Sequence, residues 1–269
     1  MDEIDLLSEK IEREALVSLH QCCPSGARKE IVLDLVEVAD CTIACAVNDP
    51  SILLNRALGL GTKQEITAES IERVAEVYRS KSIKNYFMHI YEDSLTDDAR
   101  ELLNGPKFVK KRGWMKFRSY KPEPIESKTA LRVEKVGPDK SADFGMVVCR
   151  AFGMLDISVP LMAGLANDER WKLYVTYDGD KPAGAGALFI CENMGWFEWG
   201  ATLPEFRRRG SQASIMAARI NLAREYGCKY IFTETGEAVE GGPQHSYKNI
   251  MRAGYEESIM RQNYAPSNI

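Results

Sequence analysis

The chain has 269 residues, 45% hydrophobic and 28% charged, with a net charge of −4 at neutral pH. That balance belongs to a globular protein with a real core, in one large domain or two ordinary ones. The acid excess argues against a nucleic-acid partner, because nucleic-acid binders carry a basic footprint.

Apolar periodicity predicts a helix over residues 4–20 and strand-like runs at 30–37 and 41–47. A helix over 68–80, a strand over 86–91, a helix over 96–104 and a strand over 113–118 follow. The stretch 118–129 (RSYKPEPIESKT) is polar and holds Pro122 and Pro124, which resist helix and favour extended backbone. A linker at 121–129 is therefore expected between a domain at 1–120 and another at 130–269.

The second part opens with a strand over 130–136 and a helix over 142–152. A meander of strands spans 171–202, with Asp178-Gly179-Asp180 as hairpin-turn chemistry. A helix over 211–226, a strand over 230–235, a helix over 244–253 and a terminal strand close the chain. The two halves repeat this closing order. Ser70-Ile71 recurs as Ser214-Ile215, and the same spacing carries Tyr86 onto Tyr230. A diverged duplication explains the match; chance recurrence of a common helix–strand order is the alternative.

No apolar run approaches the ~20 residues that span a bilayer. The acidic start MDEIDLLSEK is neither a signal nor a transit peptide. A cytoplasmic protein with no membrane partner is expected. Seven cysteines without CxxC spacing read as reduced core thiols. His20, His89 and His245 are not spaced as a metal pair, so no metal is expected.

The chemistry concentrates at 196–214. A strand runs through Leu203-Pro204-Glu205-Phe206 into Arg207-Arg208-Arg209-Gly210-Ser211-Gln212-Ala213-Ser214 and a long helix. A helix start presents unpaired amides and partial positive charge, which together bind phosphate. Gly210 permits positive φ or close backbone approach. No acid occurs from Phe206 through Arg224. Neither the Gly-Lys-Ser/Thr loop nor GxGxxG is present. In the first half the aligned segment 63–70 is KQEITAES, with Glu65 and Ile66 in place of Arg209 and Gly210. With Thr67 as a cap and Glu69 in the first turn, it repels phosphate.

The turn resembles the signature Arg/Gln-x-x-Gly-x-Gly/Ala of the GNAT acetyltransferase superfamily. Arg207 and Gly210 fill its first and fourth positions, and Gln212 stands where the family has Gly or Ala. The segment 246–255, ending Ala253-Gly254-Tyr255, is similar to the family's closing helix and strand. The resemblance implies an α/β fold of two GNAT-like halves, each a mixed, largely antiparallel sheet flanked by helices, the first half having lost its cofactor site.

It further implies an acetyl-CoA-dependent N-acetyltransferase that releases CoA. The pyrophosphate would lie on 208–213, Asn249 would contact the cofactor, and the pantetheine would run along the strand 198–203, with Ala201, Thr202 and Leu203 binding it. That strand would diverge from the strand at 230–235. An amide near Thr202 or Leu203 would serve the oxyanion. Glu198, among aromatics, is the candidate base and Glu234 its runner-up; an outward-facing strand position is the alternative for Glu198. Gly200 suggests a bulge. The family places a Tyr acid where Ile250 stands, and Tyr247 is the candidate substitute. The acceptor would be a small-molecule or peptide amine. The protein would be a monomer with pseudo-dimeric domain packing or a homodimer. A non-catalytic acetyl-CoA-binding module and a transferase of another acyl group are the alternatives.

Overall fold

The computed structural model describes residues 1–38, 40–242 and 244–267. The first half begins with α1 (Glu3–Cys22), started by a reciprocal capping box between Asp2 and Asp5. The run expected as a strand from residue 30 instead opens with α2 (Ser25–Ile31). Val32 adopts left-handed φ at its C-terminus, so the extended chain starts only at β1 (Leu33–Val38). Then come β2 (Cys41–Ala46), the short β3 (Arg56–Leu58), α3 (Ala68–Ser80), β4 (Phe87–Ile90), α4 (Asp97–Asn104) and β5 (Phe108–Tyr120).

Residues 121–131 contain no helix or strand. The second half runs β6 (Arg132–Val136), α5 (Ser141–Phe152), α6 (Val159–Gly164), β7 (Trp171–Asp178), β8 (Lys181–Cys191), β9 (Met194–Thr202), α7 (Ser211–Glu225), β10 (Tyr230–Gly236), α8 (His245–Arg252) and β11 (Glu256–Pro266). Asn221 of α7 bonds both the amide and the carbonyl of Ile125, which docks the connecting segment on that helix.

The two expected sheets are joined into one. Its order is β1-β2-β3-β4-β11-β5-β10-β9-β8-β7-β6. Only β3–β4 and β9–β10 are parallel, and every other pair is antiparallel. Each half therefore brings one parallel pair to the centre. The closing strands are exchanged: β5 of the first half lies against β10, and β11 of the second lies against β4.

The cores follow the exchange. One face of the sheet is covered by α1, α5 and α6, and its core joins Ile11, Leu16 and Leu19 of α1 to Trp196 and Phe232 of the second half. On the other face, α3 and α4 cover a core that includes Tyr264 of β11. There α7 and α8 cover another that includes Phe117 of β5. Among the described residues no helix is long and apolar enough to cross a membrane.

Candidate active site

β9 and β10 pair in parallel from Met194/Tyr230 to Phe197/Thr233 and no further. β9 runs on to Thr202 against β8, while β10 runs on to Gly236 against β5. The strands part, and a cavity of about 420 Å³ opens between Glu198–Gly200 on one arm and Glu234–Gly236 on the other. A bulge aids the parting. Trp199 and Gly200 together oppose Gly186 alone, since Ala187 pairs with Glu198 but Ala185 with Ala201. The residue with left-handed φ is Trp199 (φ 57°), not Gly200. Its buried indole meets Phe152 edge-on, with ring centres 6.2 Å apart.

The same cavity reaches Gln212 in the first turn of α7. Gly210 caps that helix with φ 86°, and a Cβ there would lie 2.8 Å from the Lys128 carbonyl oxygen. Among the described residues no side chain caps α7, and the amides of Ser211, Gln212 and Ala213 meet no side-chain acceptor. α3, the matching helix of the first half, has a Thr67/Ser70 capping box and Glu69 in its first turn. α7 is seated tightly on the sheet because β8 offers glycines: a Cβ on Gly184 would run into Ser211 Oγ.

No protein-family model and no curated protein matches the sequence. Solved structures do. A GCN5-related N-acetyltransferase from Kribbella flavida aligns with a TM-score of 0.64 at 12% identity, covering 97% of this chain and 96% of its own. One from Sphaerobacter thermophilus aligns at 0.60 and 13%, covering 86% and 82%. A conserved protein of unknown function from Staphylococcus epidermidis aligns at 0.60 and 13%, covering 90% and 98%. The chain has the GCN5-related N-acetyltransferase (GNAT) fold.

Within this GNAT fold the residues of the turn divide. Arg208 (φ 62°) is exposed and makes no ion pair among the described residues. Arg209 is held by Asp178 through two contacts of 2.7 and 2.8 Å, so its guanidinium is engaged with the 178–180 hairpin. Arg207 Nε donates to the Thr202 carbonyl at 3.4 Å. The Ser211 hydroxyl is buried on Thr176 and Thr202, and Ser214 Oγ meets Ser127 Oγ, so neither hydroxyl faces the cleft. Asn249 Nδ2 donates to Gln212 Oε1 at 2.8 Å and does not line the cleft itself. Gln212, in the position of the family's small residue, thus ties α7 to α8.

On β9, Ala201 pairs with Ala185 in the core. The Leu203 amide is already donated to the Ala183 carbonyl at 2.9 Å, which corrects its expected role as an oxyanion donor. Strand alternation turns the Thr202 amide the other way, toward the opened edge. Tyr247 also departs from expectation. Its hydroxyl donates to Glu257 of β11, and its ring packs edge-on to Phe117 with centres 4.9 Å apart, outside the cleft. Burial and the Glu257 carboxylate push its pKa up to about 12. Ile250 lines the cleft instead.

Glu198 and Glu234 stand at the cleft, one on each arm. Both end on Arg56 of β3, whose Nη2 donates to Glu198 Oε1 at 2.5 Å and whose Nη1 lies 3.3 Å from Glu234 Oε1 and 3.5 Å from Glu12. Arg261 of β11 pairs with Glu234, Glu9 and Glu12. Lys116 of β5 contacts Glu9 at 2.9 Å and Glu12 at 2.6 Å. Four carboxylates thus meet three cations at the centre of the sheet. Full ionisation leaves one negative charge in excess in a buried site, which is unfavourable. Burial raises the Glu198 pKa above the usual carboxylate range despite Arg56. It lifts Glu234 to about 7, while the cations hold Glu9 and Glu12 low. The excess charge favours a proton on the Glu198/Glu234 side, where burial raises both pKa values.

Sequence reasoning singled out Glu198 and Glu234 but missed Arg56 and the Ser51–Leu53 loop of the first half, which also lines the cleft. A signal existed. Glu9 and Glu12 fall on the apolar stripe of α1, between residues that are buried, and acids buried on such a face require cations brought from elsewhere.

Proposed function

We propose that the protein is an acetyl-CoA-dependent N-acetyltransferase with one cofactor site, built by the second half and completed by Arg56 and the Ser51–Leu53 loop of the first. One observation carries the reading: a single cleft, opened by the parting of β9 and β10, touches both the first turn of a helix capped by glycine rather than by a side chain and a pair of carboxylates with raised pKa. The first-turn amides of α7 suit a pyrophosphate, with Arg208 adding exposed positive charge. The opened edge of β9 suits an extended chain that bonds backbone as an added strand does. Acetyl-CoA, when bound, supplies an acetyl group as a thioester.

An alkyl amine has a pKa near ~10.4 and must lose a proton before it attacks. The Glu198/Glu234 pair receives it, the ionised member acting as base and Arg56 holding the two in place. The Thr202 amide offers a donor at the opened edge. No tyrosine lines the cleft among the described residues, and a thiol of pKa ~8.5 leaves without one. The exchanged closing strands support a duplicated, pseudo-dimeric monomer. A panel of amines monitored by CoA-thiol release tests the reading, with CoA binding measured in parallel. Absence of both binding and release overturns it. Ile250 in the cleft favours one alternative, an acetyl-CoA-binding module, which tight binding without release would support.

A further inference from the structure

Arg219 of α7 is 3% exposed, lines the cleft and has no carboxylate partner among the described residues. Its Nη1 donates to the carbonyls of Ala187 at 2.8 Å and Glu198 at 3.2 Å, and the guanidinium lies 4.8 Å from the centre of the Phe197 ring. Among the described residues Nη2 meets only the Met216 sulfur, at 3.8 Å, and Nε has no partner. Burial without a counter-charge draws the pKa of this arginine down to about 10. The other buried cations are not left this way: Arg56, Lys116 and Arg261 each face at least two glutamates. A buried, unpaired guanidinium is costly, and the cost is relieved when an anion joins it.

The under-used end of the fork points at the cavity. A Cβ on Gly200 would lie 3.7 Å from Nη2, and Gly200 and Met216 both line the cleft. Tyr255 meets the same Phe197 ring edge-on at 5.9 Å, and its hydroxyl is likewise buried without a partner. Resting on the transferase reading of this cleft, we propose that Arg219 is the receptor for a carboxylate carried by one of the two substrates. A planar guanidinium is the group suited to that oxyanion. The carboxylate arrives either on the acyl group, as a dicarboxylic acyl thioester, or on the amine, as an amino acid. Glu198 and Glu234 are held by Arg56 instead and handle the proton.

Calorimetric binding tests this without requiring turnover. One arm compares succinyl-CoA with butyryl-CoA; the other compares free amino acids with their amides on the CoA-loaded protein. In one arm the wild-type protein is expected to prefer the acid by about ten-fold or more, as a buried charged hydrogen bond predicts. Arg219→Gln is expected to bring that ratio near one, and Arg219→Lys to retain part of it. Ratios near one in both arms overturn the proposal, and so does a preference that survives Arg219→Gln. Should Arg219→Gln not fold, the wild-type ratios and the Lys variant decide. Absence of thiol release with every donor, alongside a clear acid preference in binding, would remove the transferase reading and leave the carboxylate receptor standing.

Discussion

Arg56 and Glu198 meet at 2.5 Å at the cleft, and they come from opposite halves of the chain. β3 carries the arginine and β9 the carboxylate, each on the strand that forms the parallel pair of its half. The first half therefore enters the candidate site through one buried charge.

Removing that charge should act on both folding and chemistry. Arg56→Met removes the cation that pairs with Glu198 and leaves Glu12 and Glu234 to Arg261. Breaking a buried pair from one side costs about 3–5 kcal/mol, readable in denaturant unfolding. Arg56 stabilises the ionised forms of Glu198 and Glu234, so its loss raises their pKa further. The acid limb of the pH–rate profile should move to higher pH. A variant with wild-type stability and an unmoved limb would contradict the assigned role.

Glu234 supplies a second test. Its folded pKa of about 7 lies above the ordinary 4.5 of a glutamate, so between those pH values the folded protein keeps a proton that the unfolded chain releases. Stability from this group is present below pH 4.5 and falls as pH rises toward 7, by at most about 1.4 kcal/mol per unit. His20, lowered to about 4 by burial, and His89, also lowered, act in the opposite sense: stability rises as pH climbs to 6.5. The wild-type curve alone is therefore uninformative. The stability of Glu234→Gln relative to wild type should climb across pH 4.5 to 7, and a flat difference would show that Glu234 ionises normally.

The helix start can be probed without disturbing the backbone. Gly210→Ala forces a Cβ into left-handed φ against the Lys128 carbonyl and should cost about 1–2 kcal/mol, mixing folding with binding. Gln212→Glu is cleaner. It keeps an acceptor for Asn249 and adds an acid to the first turn of α7, worth about 0.3–1 kcal/mol to the helix. The expected result is equal or higher stability with CoA affinity reduced about ten-fold or more, as like charges meet at short range. Unchanged affinity would move the pyrophosphate away from this turn.

Tyr247→Phe should leave kcat unchanged, because its hydroxyl is engaged by Glu257 outside the cleft. Its loss should cost about 0.5–1.5 kcal/mol of stability. A large fall in kcat, with the basic limb of the pH profile removed, would return Tyr247 to the role of acid.

These residues also mark what the sequence made legible. The α7 turn, the β9–α7–β10 order and the carboxylates Glu198 and Glu234 are local in the chain, so pattern and turn chemistry reached them. The pairing of Arg56 with Glu198 depends on which strands become neighbours, and a three-residue strand such as β3 has too little pattern to announce itself. Trp199 is hidden for another reason: Gly200 announces the bulge, but the left-handed φ falls on the tryptophan before it, a residue type that gives no such signal. The exchange of β5 and β11 was invisible because a closing strand has the same apolar alternation whichever half it joins.

That exchange governs what a fragment can do. Residues 126–269 alone would keep the α7 turn, β9, β10 and β11 but lose β5, the strand that pairs with both β10 and β11. β11 would also lose β4, so it would be left with no strand partner and β10 with an open edge, a condition that favours aggregation. The fragment would also lose α1, whose Leu16 and Leu19 share a core with Trp196 and Phe232, and Arg56, the cation that pairs with both Glu234 and Glu198. It should therefore be insoluble or unfolded by near-ultraviolet circular dichroism. Co-expression with residues 1–125 should restore a 1:1 complex that binds CoA. A soluble fragment with native circular dichroism and full thiol release would show instead that the exchanged strand and Arg56 are dispensable.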